Sequence, residues 1–305
     1  MKKALTAALL LAFSLGSQAE TWRFAIIGDT PYSDRERIEL PKMLDAIADH
    51  SVEFVVHVGD IKNGQDRCDD ALFADRYTLF QSSRVPLVYS LGDNEWTDCH
   101  RLSNGAYDPL ERLTRLRQLF FAQPRTLGQK NFALERQSTA YPEHIRFRLG
   151  PVLFVSLNIP GSRNNRGINE EPSAEYRARN PQVLQWMKEG FALAKREKLA
   201  GIAFMFQANP GFSGFAKGLP LPGYGEFLKT LQTETQQFPG QVLVIHGDTH
   251  NSRQDHPLND NQGKVLENFT RVESFGYPIM GWTHAIIDSE APSLFRFTPN
   301  PWTGK

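Results

Sequence analysis

The sequence predicts an α/β protein in which parallel strands alternate with amphipathic helices. Six apolar runs have the length and composition of buried strands, and longer amphipathic stretches lie between them. The first three runs are spaced by roughly 30 residues, the length of one βαβ unit, so we expect parallel pairing with right-handed crossovers. The predicted strands are 22–27, 52–58, 85–91, 152–157, 201–206 and 242–246.

The intervening stretches predict five helices, and the carboxy-terminal part changes character. The helices are expected at 33–50, 69–82, 109–121, 174–198 and 223–238. Short alternating runs at 265–272, 283–288 and 293–297 have no helix between them, which predicts antiparallel strands beside or opposite the parallel ones. Two long polar loops, 158–172 and 209–222, directly follow strands, where ligands bind in open α/β sheets. We expect these loops to form walls of a site.

The first nineteen residues have the pattern of a secretory signal peptide. Lys2 and Lys3 precede an apolar stretch that ends in small residues at Ala19. The apolar stretch is too short to span a bilayer, and no later segment offers about eighteen uncharged apolar residues, so no membrane span is expected. Residues 20–305 are long enough for one large α/β domain or two small ones. Because no segment has a linker composition, we predict a single domain in an exported protein, periplasmic or secreted.

Charge and cysteine content narrow the class of partner and the compartment. Lys plus Arg and Asp plus Glu both number 34, so the net charge is zero and gives no footprint for nucleic acid. Two cysteines in an exported chain predict a disulfide between Cys68 and Cys99, with unrelated free thiols as the alternative. Both cysteines lie in loops that start from adjacent predicted strands, so a bridge is geometrically plausible. The sequence does not indicate the oligomeric state.

An acidic residue preceded by glycine follows each of the first three predicted strands. These residues are Asp29, Asp60 and Asp93, and the last is followed by Asn94 and Glu95. If the strands are parallel neighbours, the three turns open at the same edge of the sheet and the carboxylates converge. Such a cluster repels itself unless a cation neutralises it or some members keep their protons. A metal site is therefore expected at this edge.

A fourth strand end contributes further candidate ligands. The segment IHGDTHNSR carries Asp248 and His250, and His246 is the last residue of the predicted strand. Oxygen ligands with one or two imidazoles suit Mn, Fe or Zn, and Ca or Mg are alternatives where carboxylates dominate. We expect a divalent cofactor of one or two ions.

These motifs resemble those of the calcineurin-like metallophosphoesterases. In that family GD-x-H, GD, GNH[DE], a lone His and GH-x-H follow successive strands, and the resemblance covers nearly the whole mature chain in order and spacing. It implies a sandwich of mixed sheets flanked by helices. It also implies that Asp29 is a ligand of the first metal, that Asp60 bridges two metals, and that His250 is the last histidine of the final motif.

The chain departs from the family pattern at several ligand positions. Pro31 occupies the place of the first motif's histidine, and Asp248 replaces a metal-binding histidine. Asp93 stands where a metal-binding Asn is usual, and Asn94 stands where the catalytic His is usual. Carboxylates therefore accumulate, which favours a harder cation, and a mononuclear site is one alternative. Further candidate ligands are Gln207, Asn209 and Glu95.

The resemblance implies a metal-dependent hydrolase that attacks a small or lipid phosphoester, a monoester or a diester, with metal-activated water. Asn94 can donate a hydrogen bond but not a proton, so the candidate catalytic residues are Asn94, His100 and His246. The main alternative is a catalytically silent member of the fold that binds a metal or a phosphorylated ligand. An exported nuclease is a third hypothesis, which the neutral charge disfavours.

Overall fold

Two mixed sheets form the framework of the computed structural model, which describes residues 20–304. The first sheet contains β1 Thr21–Ile27, β2 Phe54–His57, β3 Leu87–Tyr89, β11 Gly281–Asp288 and β12 Phe295–Pro301, in the order β12-β11-β1-β2-β3. The three strands β1, β2 and β3 pair in parallel, as predicted. β11 pairs antiparallel with both β1 and β12, also as predicted.

The second sheet has the order β4-β5-β6-β7-β8-β10-β9. Its strands are β4 Glu135–Arg136, β5 Ile145–Leu149, β6 Val152–Ser156, β7 Gly201–Met205, β8 Gln241–His246, β9 Arg253–Asp255 and β10 Phe269–Glu273. β6, β7 and β8 are parallel, so the six predicted strands divide equally between two sheets.

One strand prediction was wrong in its direction. The run at 265–272 was expected to pair antiparallel, but β10 pairs parallel with β8 and is antiparallel only to the short β9. A parallel partner needs a connection of a dozen or more residues. Residues 256–268, which lie between β9 and β10, are long enough to turn the chain back into the direction of β8.

Five helices cover the outer faces of the two sheets and begin close to where the sequence predicts, and two short helical turns lie in the predicted loops 158–172 and 209–222. The helices are α1 Asp34–Asp49, α2 Asp70–Gln81, α3 Pro109–Phe120, α4 Gly161–Asn164, α5 Ala174–Arg196, α6 Phe212–Ala216 and α7 Gly225–Gln236. The side chains of Ser33, Asp69, Asp108 and Ser173 accept backbone N–H groups of the first turns of α1, α2, α3 and α5. These caps satisfy donors that a helix start would otherwise leave unpaired.

Three apolar layers hold the sheets and helices together. Phe24 of β1, Phe54 of β2 and Phe154 of β6 pack between the two sheets. The outer face of the first sheet packs against α1, α2 and α3, and that of the second packs against α5 and α7. Because both faces of the central parallel strands are buried, these strands read as continuous apolar runs in the sequence.

The disulfide prediction is confirmed, since Cys68 and Cys99 are bonded and fully buried. Within residues 20–304, no helix is long and apolar enough to cross a bilayer. The predicted signal peptide, residues 1–19, lies outside the described residues.

Candidate metal centre

The candidate ligands lie in tight turns that directly follow strands of both sheets. Asp29 follows β1, Asp60 follows β2, and Asp248 and His250 follow β8, all with positive φ angles of 49°, 58°, 80° and 57°. Left-handed backbone is costly for residues with a side chain and is concentrated at functional sites. Gly92, which precedes Asp93, must be glycine because a Cβ there would lie 2.1 Å from Asp60 Oδ1.

Asp29 and His250 face each other as a pair. His250 Nδ1 is 2.7 Å from the carbonyl oxygen of Tyr277, so this nitrogen carries the hydrogen. His250 Nε2 is left 3.5 Å from Asp29 Oδ1. Asp29 is fully buried and also accepts hydrogen bonds from the Asp248 amide and the Ser274 hydroxyl. We refer to these two residues as the Asp29–His250 pair.

The electrostatics of the Asp29–His250 pair favour a positive charge between the two side chains. Burial raises the pKa of Asp29 despite the neighbouring imidazole. The hydrogen bond to Asp29 raises the pKa of His250. Both shifts favour the protonated state. A proton can supply the positive charge, and so can a metal ion.

Asp60 is enclosed by hydrogen-bond donors of the protein. Its Oδ2 accepts from the Tyr32 hydroxyl at 2.9 Å, Asn94 Nδ2 at 3.0 Å and Gln207 Nε2 at 3.2 Å. Its Oδ1 accepts the Asn94 backbone amide at 3.1 Å. Burial, followed by repulsion from Asp93, raises the pKa of Asp60 well above its usual range. We call these residues, Asp60, Tyr32, Asn94 and Gln207, the Asp60 cluster.

Asp93 and Asp248 each have one carboxylate oxygen held by the protein. Asp93 Oδ2 accepts the Ser162 hydroxyl at 2.9 Å, and Asp248 Oδ2 accepts the Asn209 amide at 2.7 Å. Burial and then repulsion from Asp98 raise the pKa of Asp93 to about 7. Burial raises the pKa of Asp248 to about 6. Burial thus opposes the ionised form of both carboxyl groups when no cation neutralises them.

Glu95 stabilises the backbone of the turns that carry Gly92 and Asp60. Its Oε1 accepts the amides of Gly92 and Asp60 and the hydroxyl of Tyr89. The nearby Lys62 side chain is fully buried, and its ammonium donates to the Asn63 carbonyl oxygen at 3.0 Å. Lys62 is therefore a cation built into the protein beneath the carboxylates.

The remaining predicted site residues are dispersed. Gln207 Oε1 accepts the Gly161 amide at 2.6 Å, which fixes the Gln207 amide against Asp60. His100 is exposed, and its ring bonds the Thr97 carbonyl oxygen. His246 is fully buried beside the Gly247 carbonyl oxygen, and burial lowers the pKa of His246 to about 4. A neutral imidazole with this pKa is a weak proton donor at neutral pH.

Sequence reasoning missed three residues that the structure brings to the centre. Tyr32 contacts Asp60, Tyr277 fixes His250, and the Ser162 hydroxyl lies within hydrogen-bond distance of both Asp93 and Asp98. Tyr32 stands three positions after Asp29 in the same turn, which is the one local signal. Ser162 lies in the loop 158–172, which the sequence predicts as a wall of the site without indicating this residue, and nothing local in the sequence indicates the role of Tyr277.

The residues present fit a cation, although no complete cage is assembled. Within residues 20–304, no three His, Cys, Asp or Glu side chains are grouped so as to hold a metal ion. The separation of Asp29 Oδ1 and His250 Nε2, 3.5 Å, nevertheless matches the roughly 3.4 Å expected between two tetrahedral zinc ligands. A hydrogen bond from Nδ1 to a backbone carbonyl oxygen is a usual way in which a metal-binding histidine is oriented.

Comparisons with solved structures give the fold. A dimetal phosphatase from Danio rerio is similar with a TM-score of 0.59 at 16% identity, covering 92% of this chain and 96% of that one. GAP50, the anchor in the inner membrane complex of Plasmodium, is similar with a TM-score of 0.53 at 13% identity, covering 92% and 89%. No protein-family model and no curated protein sequence match the chain. The fold that the motifs imply is confirmed: the chain has the calcineurin-like metallophosphoesterase fold.

Proposed function

We propose that the protein is a metal-dependent hydrolase of phosphoesters, monoesters or diesters, with its cation held at the Asp29–His250 pair. The observation that carries the proposal is the orientation of His250. Its Nδ1 is bound to the Tyr277 carbonyl oxygen, and its Nε2 faces a fully buried carboxylate. In the neutral ring both facing atoms are acceptors, and a divalent cation satisfies both.

Other residues of the chain complete and orient this site. The Asp248 amide and the Ser274 hydroxyl hold the Asp29 carboxylate in place. Among residues 20–304, the side chains of Asp93 and Asp248 each keep one oxygen without a protein hydrogen bond, and we propose them as further ligands. A bound divalent ion supplies an acidified water as nucleophile and neutralises the phosphoryl oxygens. Mn, Fe and Zn suit this donor set, and Ca or Mg suit its carboxylate-rich part.

The roles of the three candidate catalytic residues remain predictions. Asn94 is the one in contact with a candidate ligand, because its side-chain amide lies within hydrogen-bond distance of Asp60 Oδ2, the Tyr32 hydroxyl and the Lys62 carbonyl oxygen. We assign Asn94 to positioning Asp60. His100 and His246 would act on the leaving oxygen only after a change in position, because one is at the surface and the other is in the core.

A second candidate function is a silent member of the fold that binds a metal or a phosphorylated ligand. One observation favours it. Three protein donors surround Asp60 Oδ2, which leaves this oxygen little capacity to bridge two metals. The similar Plasmodium protein is described as an anchor rather than as an enzyme.

We also propose that the protein is exported. The Cys68–Cys99 disulfide supports this, because disulfides persist in oxidising compartments. The proposed partner is a small-molecule or lipid phosphoester.

The test is metal analysis of the purified protein together with hydrolysis of a chromogenic phosphomonoester and a phosphodiester, with Mn, Fe, Zn, Ca or Mg added. We expect metal-dependent turnover that is lost in Asp29→Asn. Asp45→Asn changes an exposed carboxylate on α1 and serves as the matched control, with unchanged turnover. Bound metal without turnover of either ester would favour the silent binder.

A further inference from the structure

A cavity of about 190 Å³ lies beside the Asp29–His250 pair, between the first two turns of α1 and the loop that precedes β11. Its apolar wall comes from 277–280 and Trp302, and the opposite wall comes from α1. Tyr277 and Ile279 remain 48% and 58% exposed, so the chain itself does not cover this wall. Apolar side chains left exposed around a cavity are typical of a ligand site.

The cavity and the candidate metal centre share one residue. The Tyr277 carbonyl oxygen orients His250, while its side chain lines the cavity. The Tyr277 ring lies nearly parallel to that of Tyr32, at 24° with 6.3 Å between centroids. The Tyr32 hydroxyl in turn donates a hydrogen bond to Asp60 Oδ2. Tyr277 therefore joins the cavity to the candidate metal centre, through its backbone at His250 and through its ring beside Tyr32.

The charged groups of the cavity favour an uncharged occupant. The Glu39 carboxylate already accepts hydrogen bonds from the Lys42 ammonium and from the Trp302 indole N–H. Glu36 accepts the Tyr32 amide and the Thr30 hydroxyl. Arg35 also lines the cavity, and its positive charge acts on both carboxylates. The three groups together leave one net negative charge, which requires no ammonium group and disfavours a phosphoryl group. The phosphoryl end of a substrate is directed away from the cavity, and its organic end is directed into it.

The size of the cavity indicates the kind of organic group. An apolar cavity of about 150 Å³ is large enough to bind benzene, so about 190 Å³ accommodates one aromatic ring but is small for a fused ring system with a sugar. Tyr277 and Trp302 offer aromatic faces and edges, and such contacts favour an aromatic ligand over an alkyl chain of equal area.

We propose that this cavity binds a single-ring aromatic group of the substrate, so that the preferred substrates are aryl or arylalkyl phosphoesters. The identity of the phosphoryl site rests on the proposed function, whereas the binding of the ring does not require turnover.

The test measures binding of benzylphosphonate and methylphosphonate, two compounds that are not hydrolysed, by calorimetry with and without Mn²⁺. Burying one ring is expected to tighten binding of the benzyl compound by about tenfold to a hundredfold. Ile279→Glu places a charge at the cavity without altering the core and is expected to remove this preference. Ile38→Glu is the matched control, because Ile38 is 61% exposed on α1 and does not line the cavity, and it is expected to keep the preference.

Equal affinity for the two phosphonates, no binding of benzylphosphonate, or an unchanged preference in Ile279→Glu would each overturn the ring site. Turnover separates this proposal from the proposed function. Hydrolysis of benzyl and methyl phosphate, whose leaving alcohols are similarly acidic, with equal kcat/KM would leave the hydrolase and remove the ring site. A benzyl preference that Ile279→Glu abolishes, without metal-dependent hydrolysis of benzyl phosphate or of an aryl phosphodiester, would leave the ring site and remove the hydrolase.

Discussion

The Asp29–His250 pair and the Asp60 cluster begin from the same local pattern, a Gly-Asp turn after a parallel strand, but they leave their carboxylates in different states. Asp29 faces an imidazole nitrogen at 3.5 Å, whereas Asp60 Oδ2 is surrounded by three protein donors. The difference comes from segments distant in sequence, because Tyr277 orients His250 and Gln207 reaches Asp60. Identical turns can therefore leave one carboxylate facing an imidazole nitrogen at one strand end and enclose the other in protein donors at the next.

Metal affinity tests this comparison most strongly. Loss of one outer-shell partner costs about 10- to 100-fold in affinity, so Asp29→Asn, which removes a direct ligand of the proposed site, is expected to weaken Mn²⁺ or Zn²⁺ binding by about a thousandfold. Asp60→Asn is expected to weaken it much less, because Asp60 is engaged by the protein. Calorimetric titration of both variants measures the difference. Equal losses would show that Asp60 is a ligand too and that the two regions act as one.

The pH dependence of stability is the next largest effect. The pKa values of Asp93, about 7, and Asp248, about 6, are raised by burial above the ordinary value of 3.8. Between about pH 4 and 7 the folded protein therefore holds more protons than the unfolded chain, and the free energy of unfolding falls as the pH rises. Through these two groups the metal-free protein is expected to lose roughly 3 kcal/mol between about pH 5.5 and 8.

Urea unfolding in the presence of a chelator measures this loss. Asp93→Asn is expected to flatten the dependence, because an amide does not titrate in this range. A saturating divalent cation is expected to oppose it, since the ion stabilises the ionised carboxylates. A metal-free protein that gains stability up to pH 8 would contradict the raised pKa values of these two groups.

The sequence predicts the framework better than the centre, for physical reasons. Buried parallel strands and capped helices produce local patterns in the sequence. The amino-terminal ends of α1, α2 and α3 are predicted within one residue. The convergence of Asp29, Asp60 and Asp93 follows from parallel pairing alone. The direction of β10 was predicted wrongly because the length and path of a connection, not its composition, determine the pairing. The hydrogen bonds to Asp60 were not predicted because they depend on side chains from three separate loops.

The smallest predicted effect concerns one atom of the Asp60 cluster, the carboxylate oxygen Asp60 Oδ2. Tyr32→Phe removes the hydroxyl that donates to Asp60 Oδ2 and leaves its ring against His250, so the free energy of unfolding is expected to fall by about 1 kcal/mol. Tyr141→Phe removes a hydroxyl whose 3.2 Å hydrogen bond to the Ala178 carbonyl oxygen lies outside the centre, and it controls for the loss of a hydroxyl in general.

If protein donors are what keeps Asp60 from binding a cation, Tyr32→Phe increases the amount of Mn²⁺ bound per chain and Tyr141→Phe does not. A stoichiometry that stays the same in both variants would mean that Asn94 and Gln207 suffice to occupy Asp60, because these two donors also reach its Oδ2. The double variant Tyr32→Phe with Gln207→Ala then decides whether the enclosure of Asp60 is the cause of the difference between the two regions.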